Sequence, residues 1–457
     1  MPSASAPAVV VVGAGFCGAA VAWHLARAAG PRVTLVDGRG EFGPGLAYRT
    51  ADPRHLLNTP AGRMSALADD PDHFVRWART RDPSASGGSF LPRGVYGDYL
   101  RQLVAAAGPG ITCLSGHVVD LAPPGPAGPA VLALADGTRL AADHVVLALG
   151  NLPPRLPAGL DARVRADPRY VHDPWTAPGP AIARDAAVLV FGTGLSALDL
   201  ALGLAGAGHR GTVHLLSRHG LLPQAHRAPA RPPDPHPPAH ADWPATARGA
   251  LHALRTAARA EAARGGDWRD VLADLRPVTQ AIWRRWPACE RERFVRHLRV
   301  YWEAHRHRAA PATAAAIAEL RASDRLQVHA GRIEDMSLGT DAIAATIRPR
   351  GGATRVHLRV EALLNATGPA PDPRDCDDPL LRALIARGLL VPDPLGASIA
   401  DDGAVIDADG QASSWLHAVG GLRRPQQWET TAVLELAPQC QALAERLCGQ
   451  SRTRDDL

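Results

Sequence analysis

The 457-residue chain predicts an α/β fold made of two Rossmann-like βαβ copies, the second interrupted by helices. Three observations carry this expectation. A short apolar run that ends in a glycine turn occurs twice, near the start and again before position 195. Each turn leads into a helical stretch and a second apolar run. Each copy then closes with a β-meander and a buried strand that stops at glycine.

In the first copy, residues 8–12 read as a buried strand, Gly13-Ala14-Gly15-Phe16-Cys17-Gly18 as the turn, the stretch to about Gly30 as a helix, and 32–37 as the next strand. Strands 131–134 and 138–140 flank Asp136-Gly137, a hairpin turn, and strand 145–149 stops at Gly150. In the second copy, strand 187–191 leads to Gly192-Thr193-Gly194, a helix runs to about Gly208, and strand 212–217 follows. Strands 343–347 and 356–360 flank Gly351-Gly352, and strand 363–366 stops at Gly368. Residues 225–312 fit neither copy. A Pro-rich run at 231–238 and long helical patterns with Trp268, Trp283, Trp286 and Trp302 read as an insertion, either a lid or ordinary core filling. The domain plan is therefore 1–178, then 179–369 with the insertion inside it.

The glycines of the first turn have separable tasks. Gly13 permits the bend out of the strand, Gly15 lets a pyrophosphate approach the backbone, and Gly18 lets helix and strand pack closely. Free N–H groups and the positive end of the helix dipole then face the phosphates. Asp37 closes the second strand, where a carboxylate accepts hydrogen bonds from ribose hydroxyls. The turn reads as a site for FAD or NAD, the bland alternative being a tight turn in an unliganded domain. In the second turn, Gly192, Gly194, Leu195 and Ser196 take the equivalent places, but Ser217 followed by Arg218 stands where Asp37 stood. A carboxylate there would repel a 2′-phosphate, whereas Ser and Arg can bind it, so NADPH is expected over NADH. His219 and Arg227 are further candidates for that role, and the bland reading of Arg218 is an exposed loop arginine.

Composition narrows the rest. All fifty basic residues are Arg, which excludes a lysine Schiff base and a P-loop lysine. The net charge of +5 is not gathered into runs and suits anionic nucleotides without requiring nucleic acid. Six scattered cysteines, none in a C-x-x-C pair, suggest a reducing, cytoplasmic setting. No apolar run is long enough to span a membrane. His236 and His240 are four apart, but prolines in and beside the interval argue against a metal pair.

Several stretches carry a resemblance: Gly43-Pro44-Gly45-Leu46-Ala47-Tyr48, the run from His55 to Ser65, the run from Phe90 to Leu100, Ser217-Arg218-His219-Gly220-Leu221-Leu222-Pro223, and Trp428-Glu429-Thr430-Thr431-Ala432. With the two glycine turns, they resemble the two-dinucleotide-binding-domain flavoproteins, glutathione-reductase-like enzymes and class B flavin monooxygenases among them. They are similar in particular to bacterial "FAD-NAD(P)-binding" proteins related to N-hydroxylating monooxygenases, including the kind that oxidises the amino group of aspartate. The resemblance implies FAD in the first copy and NADPH in the second. It implies that Asn58, Met64 and Ser65 lie beside the isoalloxazine, the alternative being a packed interdomain loop. It also implies that 370–457 returns to the FAD domain, with Gly420 at the flavin and Thr430 and Thr431 beginning a helix to about Leu447. An N-terminus there would stabilise reduced flavin. Val419-Gly420-Gly421 departs from the pattern, since many relatives carry an acid nearby.

Without a cysteine pair, a disulfide reductase is disfavoured. Oxygen is the expected acceptor: a flavin C4a-hydroperoxide, kept from water, would hydroxylate the nitrogen of a small amine or amino acid. Two alternatives stay open, an NAD(P)H oxidoreductase without oxygen insertion and a non-catalytic redox sensor. Arg306 and Arg308 are candidates for a substrate carboxylate, against the plain reading of cations at a helix C-terminus, and Arg423-Arg424 is a second candidate pair.

Overall fold

The computed structural model describes residues 6–28, 30–126, 128–176, 181–227 and 243–455. It divides into two compact units. The first comprises Met1–Ala51, Pro60–Leu152 and Ala370–Leu457, and the second comprises Asp52–Thr59 and Pro153–Pro369.

The chain enters the first unit through β1 (Ala8–Val12), α1 (Phe16–Arg27), β2 (Arg32–Asp37), the short α2 (Gly45–Tyr48), α3 (His73–Arg79), α4 (Arg93–Ala106) and β3 (Ile111–Ser115). A meander of β4 (Val118–Ala122), β5 (Ala130–Leu134) and β6 (Arg139–Ala142) leads to β7 (His144–Leu147). The second unit begins with α5 (Ala162–Ala166), β8 (Tyr170–Val171), β9 (Val188–Phe191), α6 (Leu195–Gly206) and β10 (Val213–Ser217). Helices α7 (Ala247–Ala263), α8 (Trp268–Leu275), α9 (Thr279–Arg285), α10 (Ala288–His297), α11 (Arg299–Arg306) and α12 (Pro311–Ala322) follow. Strands β11 (Leu326–Leu338), β12 (Ile343–Pro349), β13 (Val356–Val360) and β14 (Ala362–Asn365) close it. The return supplies α13 (Pro379–Ala386), β15 (Pro392–Asp393), β16 (Gly396–Ala397), β17 (Ala404–Ile406), β18 (Ala412–Ala418) and α14 (Val433–Asp455).

Among the described residues the main sheet of the first unit runs β17-β18-β7-β1-β2-β3, parallel except for β17. The central strand explains its own sequence: Val9, Val10 and Val11 are buried, as an unbroken apolar run on a two-sided parallel sheet must be. The second unit runs β13-β12-β11-β10-β9-β14-β8. The duplication holds down to the pairing, because β1 lies between β2 and β7 as β9 lies between β10 and β14. The copies differ in one respect. In the first, the strand beside β2 and the first strand of the meander are separate elements, β3 and β4. In the second, the thirteen-residue β11 serves as both, bending at a register shift between Ile333 and Asp335.

Helices α7 to α12 sit between β10 and β11, where the first unit has α2 to α4 between β2 and β3. Trp283 and Trp286 are buried and meet Phe294 at ring separations of 6.0 and 5.8 Å, so these two indoles form the insertion's own core. The Pro-rich run 231–238, with His236 and His240, lies outside the described residues. Among the described residues no helix is long and apolar enough to cross a membrane.

The last helix corrects one expectation. It begins at Val433, and Thr430 and Thr431 lie in the turns before it. Thr430 is fully buried and its hydroxyl contacts the Gly420 carbonyl (3.2 Å) and Gln439 (3.2 Å). It ties the 420 loop to the helix and does not cap the helix end.

Candidate nucleotide sites

The two glycine turns are built alike at the atomic level. Gly13 and Gly192 have φ values of +99° and +123°. A Cβ there would stand 2.4 Å from the Ala148 carbonyl oxygen in the first case and 2.2 Å from that of Ala366 in the second. Both positions therefore demand glycine, and both lock the turn to the strand that closes the copy. Gly15 and Gly194 are the N-caps of α1 and α6, with nearly equal backbone angles. Neither helix has a side-chain cap or an acid in its first turn, and each is capped by a glycine of the turn. Two helix N-termini thus present bare N–H groups, the donor set that a diphosphate requires. Gly18 completes the first turn, since a Cβ there would fall 1.8 Å from the Gly13 oxygen. The buried Ala197 takes its place in the second. Phe16, Cys17, Leu195 and Ser196 are the first residues of their helices, the first two buried and the others half-buried.

Around the first turn the structure gathers more than sequence spacing suggests. The Asp37 carboxylate accepts the backbone N–H groups of Arg39 (2.9 Å), Glu41 (3.2 Å) and Ala14 (3.4 Å), which fixes it against the turn. Gly43 donates its N–H to the Ala14 carbonyl (2.8 Å), and a Cβ on Gly45 would lie 2.8 Å from the Gly15 Cα. The 43–45 loop is thus seated on the turn, a placement with no periodic signal; in the sequence only the family resemblance marked it. A Cβ on Gly420 would lie 3.2 Å from Cys17 Sγ, and one on Gly421 would lie 3.1 Å from the Gly150 oxygen. Turn, 43–45 loop, Gly150 and Gly420 therefore form one small-residue cradle, and these residues fit the diphosphate and ribose of FAD.

The flavin-proximal candidates fall in different places. Asn58 belongs to the second unit, where His226 Nε2 meets its carbonyl at 2.9 Å, while Met64 and Ser65 belong to the first. The Ser65 hydroxyl is engaged locally with the carbonyls of Asp70 (2.6 Å) and Leu67 (3.1 Å), so it shapes its loop. Met64 is buried. Thr431 is exposed. The segment carrying Asn58 is fixed to α6 through His55, whose Nε2 lies 2.9 Å from the Asp199 carbonyl.

Cys17 and Cys440 also meet. Their hydrogen bond and then burial push the Cys440 thiol well above its usual range, which keeps it protonated and unreactive. The pair is invisible in sequence, and its chemistry is that of packed thiols.

In the second unit, the Thr193 hydroxyl contacts Ser217 Oγ (2.9 Å) and the Leu221 carbonyl (2.7 Å). Thr193 is the donor to both, so Ser217 Oγ acts as an acceptor here. Ser217 also accepts the Gly220 N–H (3.0 Å). Its oxygen is held by the turn. Arg227 is paired with the buried Asp270 (3.0 Å), which leaves Arg218, exposed at the end of β10, as the available cation of the original set. Gly150 and Gly368 lie just past β7 and β14, with φ of +70° and +84°.

Of the substrate candidates, Arg306 ends α11 and Arg308 follows it, both half-buried. Arg423 is buried and donates to the carbonyls of Asp401 (2.7 Å) and Ala400 (3.4 Å), and Arg424 lies 4.2 Å over the Trp428 ring. Both members of that second pair thus hold the return loop. Among the described residues no group of three metal-ligating side chains occurs.

Two glycine-turn βαβ copies, each closed by a meander and a strand, thus occur in one chain. Residues 10–152 match the model of a family described as FAD-NAD(P)-binding. Over the whole chain the fold is similar to that of the ornithine N-hydroxylase of Kutzneria sp. 744, determined with reduced FAD, NADP+ and L-ornithine (15% identity, 97% of this chain and 99% of that one, TM-score 0.64). It is likewise similar to the ornithine hydroxylase of Pseudomonas aeruginosa (17% identity, 97% and 99% covered, TM-score 0.65). A third similar fold is that of the FAD-bound cadaverine monooxygenase of Erwinia amylovora (13% identity, 96% and 94% covered, TM-score 0.66). No curated protein sequence matches the chain.

Proposed function

We propose that this chain is an FAD-dependent, NADPH-consuming monooxygenase that hydroxylates the nitrogen of a small amine or amino acid. The observation that carries the reading is the pair of bare, glycine-capped helix ends in one chain, set in a fold that superposes end to end on N-hydroxylating enzymes. FAD supplies hydride acceptance from NADPH and the activation of O2. The chain's own residues bind and orient. The Gly13–Gly18 turn and the 43–45 loop hold the diphosphate, Asp37 accepts the ribose hydroxyls, and Gly420 and Thr430 shape the loop of the return segment. Gly192, Gly194 and Arg218 hold NADPH. Met64, with no polar atom to offer water, lines the flavin side, and Arg306 and Arg308 receive a substrate carboxylate.

The test is NADPH consumption by the flavin-loaded protein with and without oxygen, across ornithine, lysine, aspartate and cadaverine, with peroxide and hydroxylated product both measured. Oxygen-dependent turnover with a hydroxylated amine supports the proposal. Turnover that needs an added acceptor, or that yields peroxide alone with every amine, identifies a reductase or oxidase instead. Flavin binding without turnover identifies a sensor.

A further inference from the structure

At the adenosine end of the proposed NADPH site, Ser217 Oγ accepts from Thr193 and from the Gly220 N–H. The β-meander brings other groups to the same place. Ser217, the last residue of β10, lies beside Ala330 on β11, and Gly220 packs on Ala330. Two positions further along β11 stands Arg332. Arg350, just past β12, is anchored by its N–H to the Ala330 carbonyl (2.8 Å). Its guanidinium donates to Nδ1 of His219. Burial, and after it the fields of Arg350, Arg218 and Arg332, hold the His219 ring below the ordinary histidine range. No carboxylate appears among the groups acting on that ring.

On the same meander Arg355 is paired with Glu334, and Arg227 is paired with Asp270. Among the described residues Arg218, Arg332 and Arg350 have no carboxylate partner. Three like charges gathered round a neutral imidazole repel one another, and a dianion among them relieves that repulsion. An aromatic ring stands at the edge of the group. Tyr301, on α11 of the insertion, meets the His219 ring at 5.7 Å in a T-shaped contact and is 40% exposed, one of few large apolar side chains so placed.

We infer that this cluster reads the adenosine 2′-phosphate of NADPH: Arg218, Arg332 and Arg350 bind the phosphate, and Tyr301 offers a stacking face to the adenine. The inference rests on the NADPH reading above and adds to it. It gives the helical insertion a part in cofactor binding and places two specificity residues on the meander, far in sequence from the glycine turn. His219 acts as a positioning residue: by accepting from Arg350 it aims that guanidinium and adds no charge of its own near neutral pH.

The experiment is calorimetric titration of the flavin-loaded protein with adenosine 2′,5′-bisphosphate and, separately, with 5′-AMP. The intact protein is expected to prefer the bisphosphate. Arg350→Gln and Arg332→Gln should each weaken the bisphosphate by about 10- to 100-fold, the span of a lost charge-assisted hydrogen bond, and leave 5′-AMP unchanged. Tyr301→Ala should weaken both probes by roughly 2- to 10-fold. Arg355→Gln, whose guanidinium is already paired, should change neither. Circular dichroism and flavin content control for folding. If the intact protein prefers the bisphosphate while the Arg350, Arg332 and Tyr301 variants bind both probes normally, the cluster is refuted and the NADPH reading survives. If the intact protein shows no preference for the 2′-phosphate, both fall.

Discussion

Asp37 has one carboxylate and two duties. It is held by three backbone N–H groups, two on Oδ1 and one on Oδ2, which fixes its direction and leaves one acceptor site on Oδ2 for a ribose hydroxyl. Asp37→Ala is therefore expected to lower flavin affinity by about 10- to 100-fold, read as the flavin-to-protein absorbance ratio after gel filtration. Unchanged flavin content in a folded variant would remove Asp37 from the site. Arg218→Ala should weaken NADPH by at least about tenfold and spare NADH; equal losses for the two would show that Arg218 does not meet the 2′-phosphate. At this scale sequence reading worked where one residue type has one possible use. A carboxylate closing a strand after a glycine turn has few other tasks. It worked less well for hydroxyls. Ser217, Ser65 and Thr430 were all candidates for contact with a ligand, yet each spends hydrogen bonds on its own loop. Hydroxyls make local bonds that spacing does not reveal.

At the scale of elements, the two glycines of the second turn make opposite demands. Gly192 cannot accept a side chain, because of its positive φ and the Ala366 oxygen 2.2 Å from where a Cβ would be. Gly194 has an ordinary φ of −80° and open space around its missing Cβ. Gly194→Ala should therefore leave the melting temperature and flavin content unchanged while reducing NADPH affinity by about tenfold or more, since the methyl group stands where phosphate approaches the helix end. Gly192→Ala should lower the melting temperature as well. If Gly194→Ala binds NADPH normally, the α6 end is not the diphosphate site. The strands and the turns were legible because glycine geometry and apolar runs are local signals. The seating of the 43–45 loop and the pairing of Cys17 with Cys440 depend on contacts between distant segments. The shared strand β11 was missed because its thirteen residues alternate buried and exposed only in part. The start of α14 was misplaced because Thr430 is drawn to Gly420.

Over the whole molecule, buried histidines set the response to acid. His417 accepts a bond from Arg446 at Nδ1 (2.7 Å) and shares one with His144 through Nε2 (3.4 Å), so its ring must be neutral. Burial, then Arg446, then His144 push it down from 6.5 to about 3, and burial followed by His329 pushes His214 down to about 4. Above pH 6.5 neither state takes up a proton, and this contribution to stability is fully present. As the pH falls from 6.5 toward the folded values, the unfolded chain binds protons that the folded chain refuses, and stability is lost. By about pH 5 the loss from His417 amounts to about 2 kcal/mol, measurable as a fall in the urea midpoint that His417→Asn should reduce. A flat profile from neutral pH to about pH 5 would contradict the buried, neutral ring. The same scale holds the central claim, that one chain carries two diphosphate cradles with different tenants. The most direct measurement is an anaerobic titration of the purified, flavin-saturated protein with NADPH. The account predicts one FAD per chain, bleached by NADPH and recoloured by oxygen. A chain that takes up no flavin, or whose flavin stays oxidised in excess NADPH, would contradict it.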